Sequence, residues 1–121
     1  MRVKHLLAAV CLAAFVLPAA AQETATARGA VLRGLDTFNG HVTDMEVAAG
    51  QSVQFGRLNI VLRECRYPAG NPAGDAYASL EISQQGREGV IFSGWMIASS
   101  PALSAMEHPR YDVWVLRCTT D

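Results

Sequence analysis

From Ala30 onward, hydrophobic and polar residues alternate along the chain in short segments, separated by turn residues such as Asn39-Gly40. Successive side chains of a strand point to opposite faces, so this two-residue period predicts strands with one buried and one exposed face. The pattern predicts an all-β fold, a small antiparallel sandwich or barrel of about seven strands with one short helical turn. The predicted strands span residues 30–36, 41–47, 52–55, 58–65, 76–84, 89–97 and 111–118.

Two segments, 89–97 and 99–107, depart from this alternation. The first, GVIFSGWMI, is almost continuously apolar, which predicts a central strand with no exposed face. In the second, Ser100 is placed to cap a helical turn that starts at Pro101 and runs through helix formers to Glu107. We therefore expect a compact connection between the last two strands.

The first 21 residues have the layout of a cleaved secretory signal peptide. Arg2 and Lys4 form a positive n-region, an uncharged apolar run follows over 6–17, and small residues precede Gln22. The run is too short to span a bilayer, which needs about 20 residues. We expect a signal peptide over 1–21, export to the periplasm, a flexible leader over 22–29 and a single domain over 30–121.

Removal of the signal peptide makes the chain mildly acidic. Without Arg2 and Lys4, eight basic residues remain against eleven acidic ones, a net charge of −3 (8 − 11), and none of the eight is lysine. Such a chain has no electrostatic reason to bind nucleic acid or anionic lipid. We therefore expect no nucleic-acid partner. For an exported chain, we expect an envelope protein or polymer as the partner, with no transmembrane segment in the mature chain.

Two cysteines remain after cleavage, because Cys11 leaves with the signal peptide. Cys65 and Cys118 are an even pair in an exported chain, which predicts one disulfide. The chain has no C-x-x-C redox motif, and two cysteines alone cannot build a structural zinc site.

Several side chains in the segment Ser93–Asp112 bear on a catalytic or metal-binding interpretation. Ser93 or Ser100 could act in a hydrolase with His41 or His108 as the base and Glu107 or Asp112 as the acid, but the G-x-S-x-G nucleophile elbow is absent. Glu107, His108 and Asp112 are potential metal ligands, yet no H-E-x-x-H spacing is present. We therefore expect no catalytic residues, no metal and no cofactor. An envelope-polymer hydrolase using residues around Ser93–Asp112 stays as the alternative.

The aromatic residues near the C-terminus allow two interpretations. Tyr111, Trp95 and Trp114 could together form a flat surface for a sugar ring or a peptide. On the predicted last strand, however, Trp114 shares a face with Leu116 and Cys118, which favours burial. We expect both tryptophans in the core and Tyr111 exposed.

Three stretches of the chain carry a family resemblance: VLRGLD (31–36), GRLNIVLREC (56–65) and VIFSGWMIASSPALSAMEHPRYDVWVLRC (90–118). They resemble the domain of unknown function 2155, a family of small exported alphaproteobacterial proteins. The resemblance implies an envelope location, no established activity, and a pair of family cysteines at Cys65 and Cys118. Arg110 departs from the family pattern, which has a small apolar residue there.

The segment Ser99–Asp112 is the place where the strand pattern stops and a connection stiffened by prolines begins. Connections held on a rigid β scaffold are where binding residues concentrate. We therefore predict a non-enzymatic binding or adaptor domain whose partner contacts this segment. Its outward side chains are expected to be Met106, His108, Arg110 and Tyr111.

Overall fold

The structure is a computed structural model that describes residues 23–120. It contains eight strands and one 3₁₀ turn over Pro101–Ser104. Within these residues, no helix is long and apolar enough to cross a membrane. The strands are β1 (Thr24–Thr26), β2 (Gly29–Asp36), β3 (His41–Ala48), β4 (Ser52–Phe55), β5 (Leu58–Pro68), β6 (Tyr77–Gln84), β7 (Val90–Ile97) and β8 (Tyr111–Thr119).

The strands form two antiparallel sheets that pack face to face as a sandwich. The first sheet has the order β1-β5-β6-β7, and β4 pairs with the N-terminal half of β5 on the edge that β1 occupies further along. The second sheet has the order β3-β2-β8. The predicted all-β class is confirmed, and the seven predicted strands correspond to β2 through β8.

The core lies between the two sheets and is built from alternate residues of each strand. On β6, Ala78, Leu80 and Ile82 are fully buried, while Glu81 between them is half-buried. On β3 only Met45 and Val47 turn inward, which gives this strand the predicted wet face. Each fully buried Leu, Ile, Val or Met side chain stabilises the fold by about 1.5–3 kcal/mol, an upper figure because the unfolded chain is itself partly compact.

One β-bulge lies just before each of the two cysteines and reverses the alternation of inward and outward side chains. The pairing of β5 with β6 shifts between Leu62 and Glu64, and the pairing of β2 with β8 shifts between Val31 and Leu32. Each shift inserts one residue, so the next inward position comes three residues later instead of two. Cys65 and Cys118 are thereby turned into the core, where both are buried.

The two cysteines form the predicted disulfide, with their Cα atoms 5.8 Å apart. The bond joins β5 of one sheet to β8 of the other across the core. It closes a loop with a sequence separation of 53 residues. Such a loop stabilises the fold by up to about 4 kcal/mol in the chain-entropy model.

The N-terminal segment differs from the prediction. The predicted flexible leader over 22–29 contains β1, which pairs with the end of β5, and Ala27 is buried behind it. Arg66 of β5 donates hydrogen bonds to the hydroxyls of Thr24 and Thr26, which hold β1 in place. Residues 24–29 therefore belong to the domain. The predicted signal peptide over 1–21 lies outside the described residues.

Strand β7 is not the central strand that its apolar sequence predicts. It lies at the edge of the first sheet, and only Met96 of its residues is buried. Val90 is 50% exposed and Trp95 is 43% exposed. The apolar run predicted burial on both faces, but within residues 23–120 β7 has a neighbouring strand on one side only and a solvent-facing outer surface.

Candidate functional site

Two of the four side chains predicted to point outward are in the core. Met106 and Tyr111 are 5% and 3% exposed, so neither can contact a partner directly. The Tyr111 ring packs edge-on against Phe55, with ring centroids 5.6 Å apart. Its hydroxyl accepts a hydrogen bond from the Arg57 backbone N–H at 3.3 Å. Tyr111 therefore anchors the start of β8 against the β4–β5 turn.

His108 is held by the backbone and by one side chain. Its Nδ1 accepts hydrogen bonds from the N–H groups of Arg110 and Tyr111, at 3.0 and 3.2 Å. Because Nδ1 is an acceptor, Nε2 carries the proton and donates to Gln84 Oε1 at 2.8 Å. Both ring nitrogens are thus used to shape the entry into β8. Across residues 23–120, no group of three His, Cys, Asp or Glu side chains is arranged to hold a metal ion.

Arg110 forms a two-pronged ion pair with Asp36 at the end of β2. Its Nε and Nη2 lie 3.1 and 2.9 Å from the two carboxylate oxygens. The hydrogen bonds from Arg110 lower the pKa of Asp36 below its ordinary value, against the opposing effect of burial. The guanidinium also lies over the rings of Phe38 and Tyr111. Arg110 therefore ties the β2–β3 hairpin to the start of β8.

Ser93 and Ser99 both make side-chain hydrogen bonds that stabilise the fold. Ser93 Oγ accepts a hydrogen bond from Arg63 on the outer face of the first sheet. Ser99 donates from its N–H and its hydroxyl to the Asp75 carboxylate, which fixes the connection after β7. Ser100 makes no capping hydrogen bond to the 3₁₀ turn, so its predicted capping role is wrong. Within residues 23–120, neither His41 nor His108 is hydrogen-bonded to Ser93 or Ser100.

The tryptophans and Tyr111 do not form one aromatic surface. Trp95 is on the outer face of the first sheet, opposite Ser79 of β6. Trp114 is half-buried on the second sheet, opposite Arg33 of β2. The bulge in β8 explains the error in the prediction, because it separates the face of Trp114 from that of Cys118.

A groove of about 370 Å³ runs between the 3₁₀ turn and the free edge of β8. The second sheet ends at β8, since the chain between β7 and β8 turns into the 3₁₀ geometry instead of pairing as a fourth strand. Pro101 is the first residue of that turn, and it lines the groove. The lining residues are Pro101, Ala102, Ala105, Asp112, Val113 and Trp114.

The groove combines an apolar wall with one carboxylate. Asp112 is half-buried, and no hydrogen bond or ion pair engages its side chain anywhere in the described part of the chain. Trp114, two residues further along β8, presents its ring to the same groove. An unpaired carboxylate beside an aromatic face attracts a cationic group, because both the charge and the ring quadrupole favour a positive charge.

The groove overlaps the segment predicted from the sequence to bind a partner, but none of the four side chains predicted to point outward lines it. Its turn side lies within the predicted segment Ser99–Asp112, yet Met106 and Tyr111 are buried and Arg110 is paired. Asp112 and Trp114 carry its chemistry instead. A sequence signal exists for them: with Tyr111, Val113 and Val115 inward, strict alternation turns Asp112 and Trp114 outward.

The family comparison identifies the chain's relatives. The model of the family described as "Uncharacterized protein conserved in bacteria (DUF2155)" matches residues 30–118. The chain belongs to this family. The matched region of this DUF2155 member runs from β2 to β8 and includes both cysteines and the groove.

One curated relative of this DUF2155 member is the uncharacterized protein RP359 of Rickettsia prowazekii (strain Madrid E), 30% identical over 78 residues. The alignment covers 62% of this chain and 50% of the relative, so the chain spans about half the length of that protein. No solved structure matches the chain.

Proposed function

We propose that this protein is an exported, periplasmic, non-enzymatic binding or adaptor domain that holds a partner in the groove between the 3₁₀ turn and β8. The signal-peptide pattern at 1–21 supports export. The Cys65–Cys118 disulfide supports an oxidising compartment. The single observation that carries the proposal is the unpaired Asp112 carboxylate next to Trp114 in an otherwise apolar groove.

The partner is a protein segment that carries an arginine or lysine among apolar residues. Its cation lies against Trp114 and pairs with Asp112, while neighbouring apolar groups contact Pro101 and the alanines of the turn. Arginine suits the site better than lysine, since a planar guanidinium both stacks on an aromatic ring and bonds a carboxylate through two N–H groups. The groove volume lies near the lower end of the usual range for binding sites, about 300–1,000 Å³, so it holds one or two side chains.

The position of the groove also favours an extended segment over a compact ligand. One wall is the edge of β8, a strand with no neighbour on that side within the described residues. A segment in strand conformation can lie along such an edge and place alternate side chains in the groove.

Nuclear magnetic resonance of the two indole N–H groups tests the location of binding, because Trp114 lies in the groove and Trp95 on the other sheet. The probe is a short uncharged-ended peptide, Gly-Val-Arg-Val-Gly, titrated into the mature, disulfide-bonded protein. We expect the Trp114 signal to shift and the Trp95 signal to stay. The same peptide with citrulline, which is neutral but of similar shape, is the matched control and should shift Trp114 much less. An unchanged Trp114 signal with the arginine peptide contradicts the proposal.

Export has a separate test that does not depend on the groove. We expect the protein recovered from the periplasmic fraction to begin at Gln22, as measured by intact mass. Recovery of the chain in the cytoplasm with residues 1–21 retained would contradict the periplasmic assignment and leave the groove chemistry to be judged on the titration.

A further inference from the structure

The edge strands of the sandwich differ in how they are protected against pairing with another chain. Natural edge strands usually carry charges, prolines or irregularities that prevent this. The exposed face of β3 carries Asp44 and Glu46, and β8 carries Asp112 and Arg117. By contrast, β7 (VIFSGWMI) has no charged residue and no proline over its eight positions. Its one irregularity, a bulge at Ile91, lies near its start and leaves Phe92 to Ile97 regularly paired with β6.

The open side of β7 is also unused by the rest of the described chain. Outside its ladder with β6, β7 makes a single backbone hydrogen bond within residues 23–120, in which the Ile97 carbonyl accepts from the Ser100 N–H. Val90, Ser93 and Trp95 are exposed along the strand. An uncharged, unpaired edge with exposed apolar side chains is a template for adding a strand.

We infer that β7 pairs with β7 of a second copy of this chain, which joins the two first sheets into one continuous sheet around a two-fold axis. A second copy is the occupant that β7 fits best, because an antiparallel pair of this strand with itself opposes no like charges. Closed two-fold dimers are also the commonest assemblies of soluble proteins. The inference is independent of the groove, which lies beside β8.

The alternation of side chains fixes where the two-fold axis can pass. Ser93 and Trp95 face outward, whereas Phe92 and Met96 pair with the inward positions Ile82 and Ala78. Side chains opposite one another in an antiparallel pair lie on the same face of the sheet. One residue must therefore lie opposite its own copy, with the two-fold axis midway between the two copies.

The residue nearest the middle of the regular part of β7 is Gly94. With the axis there, Gly94 meets its own copy, Trp95 lies opposite Ser93 twice on the outer face, and Phe92 lies opposite Met96 on the core side. Gly94 has open space where a Cβ would be, with only the Phe92 ring near, at 3.7 Å. The centre of the proposed pairing therefore carries no side chain of its own.

Sedimentation analysis of the mature protein, with its disulfide intact, tests the dimer. We expect wild type to have twice the mass of one chain and to dissociate on dilution. Trp95→Lys places a charge in the interface and should raise the dissociation constant by about tenfold or more. The matched control, Val42→Lys, changes an equally exposed valine on edge strand β3 and should leave the dimer unchanged.

A second measurement does not depend on how well Trp95→Lys folds. Gly94→Cys brings two thiols together at the axis, where opposing Cα atoms of an antiparallel pair are about 4.5–5.5 Å apart, so mild oxidation should yield a covalent dimer. Asn71→Cys, in an exposed loop away from β7, should not. A monomer at every concentration overturns the inference, as does a dimer that resists Trp95→Lys and is not cross-linked through residue 94.

Discussion

Neighbouring residues at the start of β8 have different environments and different effects on the fold. Tyr111 is buried against Phe55, and a Cβ at Gly56 would lie within 2.5 Å of its hydroxyl, which leaves room there for glycine alone. Gly56 also has a φ of 58°, a left-handed conformation that favours glycine. Arg110 sits at the surface and acts through Asp36. Tyr111 therefore stabilises the fold through packing, and Arg110 stabilises it through charge.

Replacing Tyr111 with alanine should be strongly destabilising, because it empties a buried site next to Phe55. We expect a loss of about 3–5 kcal/mol in the free energy of unfolding, measured by urea denaturation. Leu103→Ala, which removes a side chain that is 72% exposed, is the control and should change stability by less than about 0.5 kcal/mol. Equal effects of the two substitutions would contradict the described packing.

The Asp36–Arg110 pair should make stability depend on pH. The folded-state pKa of Asp36 is lowered, chiefly by hydrogen bonds from Arg110. Its contribution is therefore present above the unfolded value of about 3.9 and is lost as the pH falls through the lower folded value. We expect Arg110→Ala to lower the melting temperature at neutral pH, and the gap to wild type to narrow in acid. A gap of constant size at all pH values would show that the charge pair contributes nothing.

At the scale of elements, alternation predicts most of the strands but not the places where it breaks. Strands β2 to β6 and β8 follow from the two-residue period, and β7 follows from its continuous apolar run. The bulges before Cys65 and Cys118 do not, since each inserts one residue without a turn signal such as glycine or proline. The inward turn of Cys118 made Trp114 look like a core residue. The edge position of β7 could not be predicted from the sequence either, because strand order depends on long-range packing that periodicity does not encode.

The connection after β7 is held by hydrogen bonds from Ser99 to Asp75, and not by the capping bond that the sequence suggested for Ser100. Burial raises the pKa of Asp75, but hydrogen bonds from Ser99 and the Ala76 N–H more than offset this, so its pKa lies below the ordinary value. We expect Ser99→Ala to cost about 1 kcal/mol of unfolding free energy. Ser100→Ala should be near neutral, as it removes no capping bond. The reverse order in thermal denaturation would contradict this account.

For the whole molecule, the architecture places two distinct surfaces on one disulfide-linked scaffold. The edge of β7 belongs to the first sheet, while the groove lies beside β8 in the second. The Cys65–Cys118 bond fixes the two sheets to each other, so the two surfaces keep their relative positions although the core is small. The family match from β2 to β8 covers both surfaces.

Recognition of a cation by Asp112 is tested most directly by measuring the affinity of the arginine peptide for wild type and for two variants, Asp112→Asn and Glu107→Gln. Asp112→Asn keeps the shape of the side chain but removes its charge, so the dissociation constant should rise by about fivefold. Glu107→Gln removes an exposed carboxylate from the neighbouring connection and should leave the affinity unchanged. If Asp112→Asn binds the peptide as tightly as wild type does, the groove does not recognise a cation and the account is wrong.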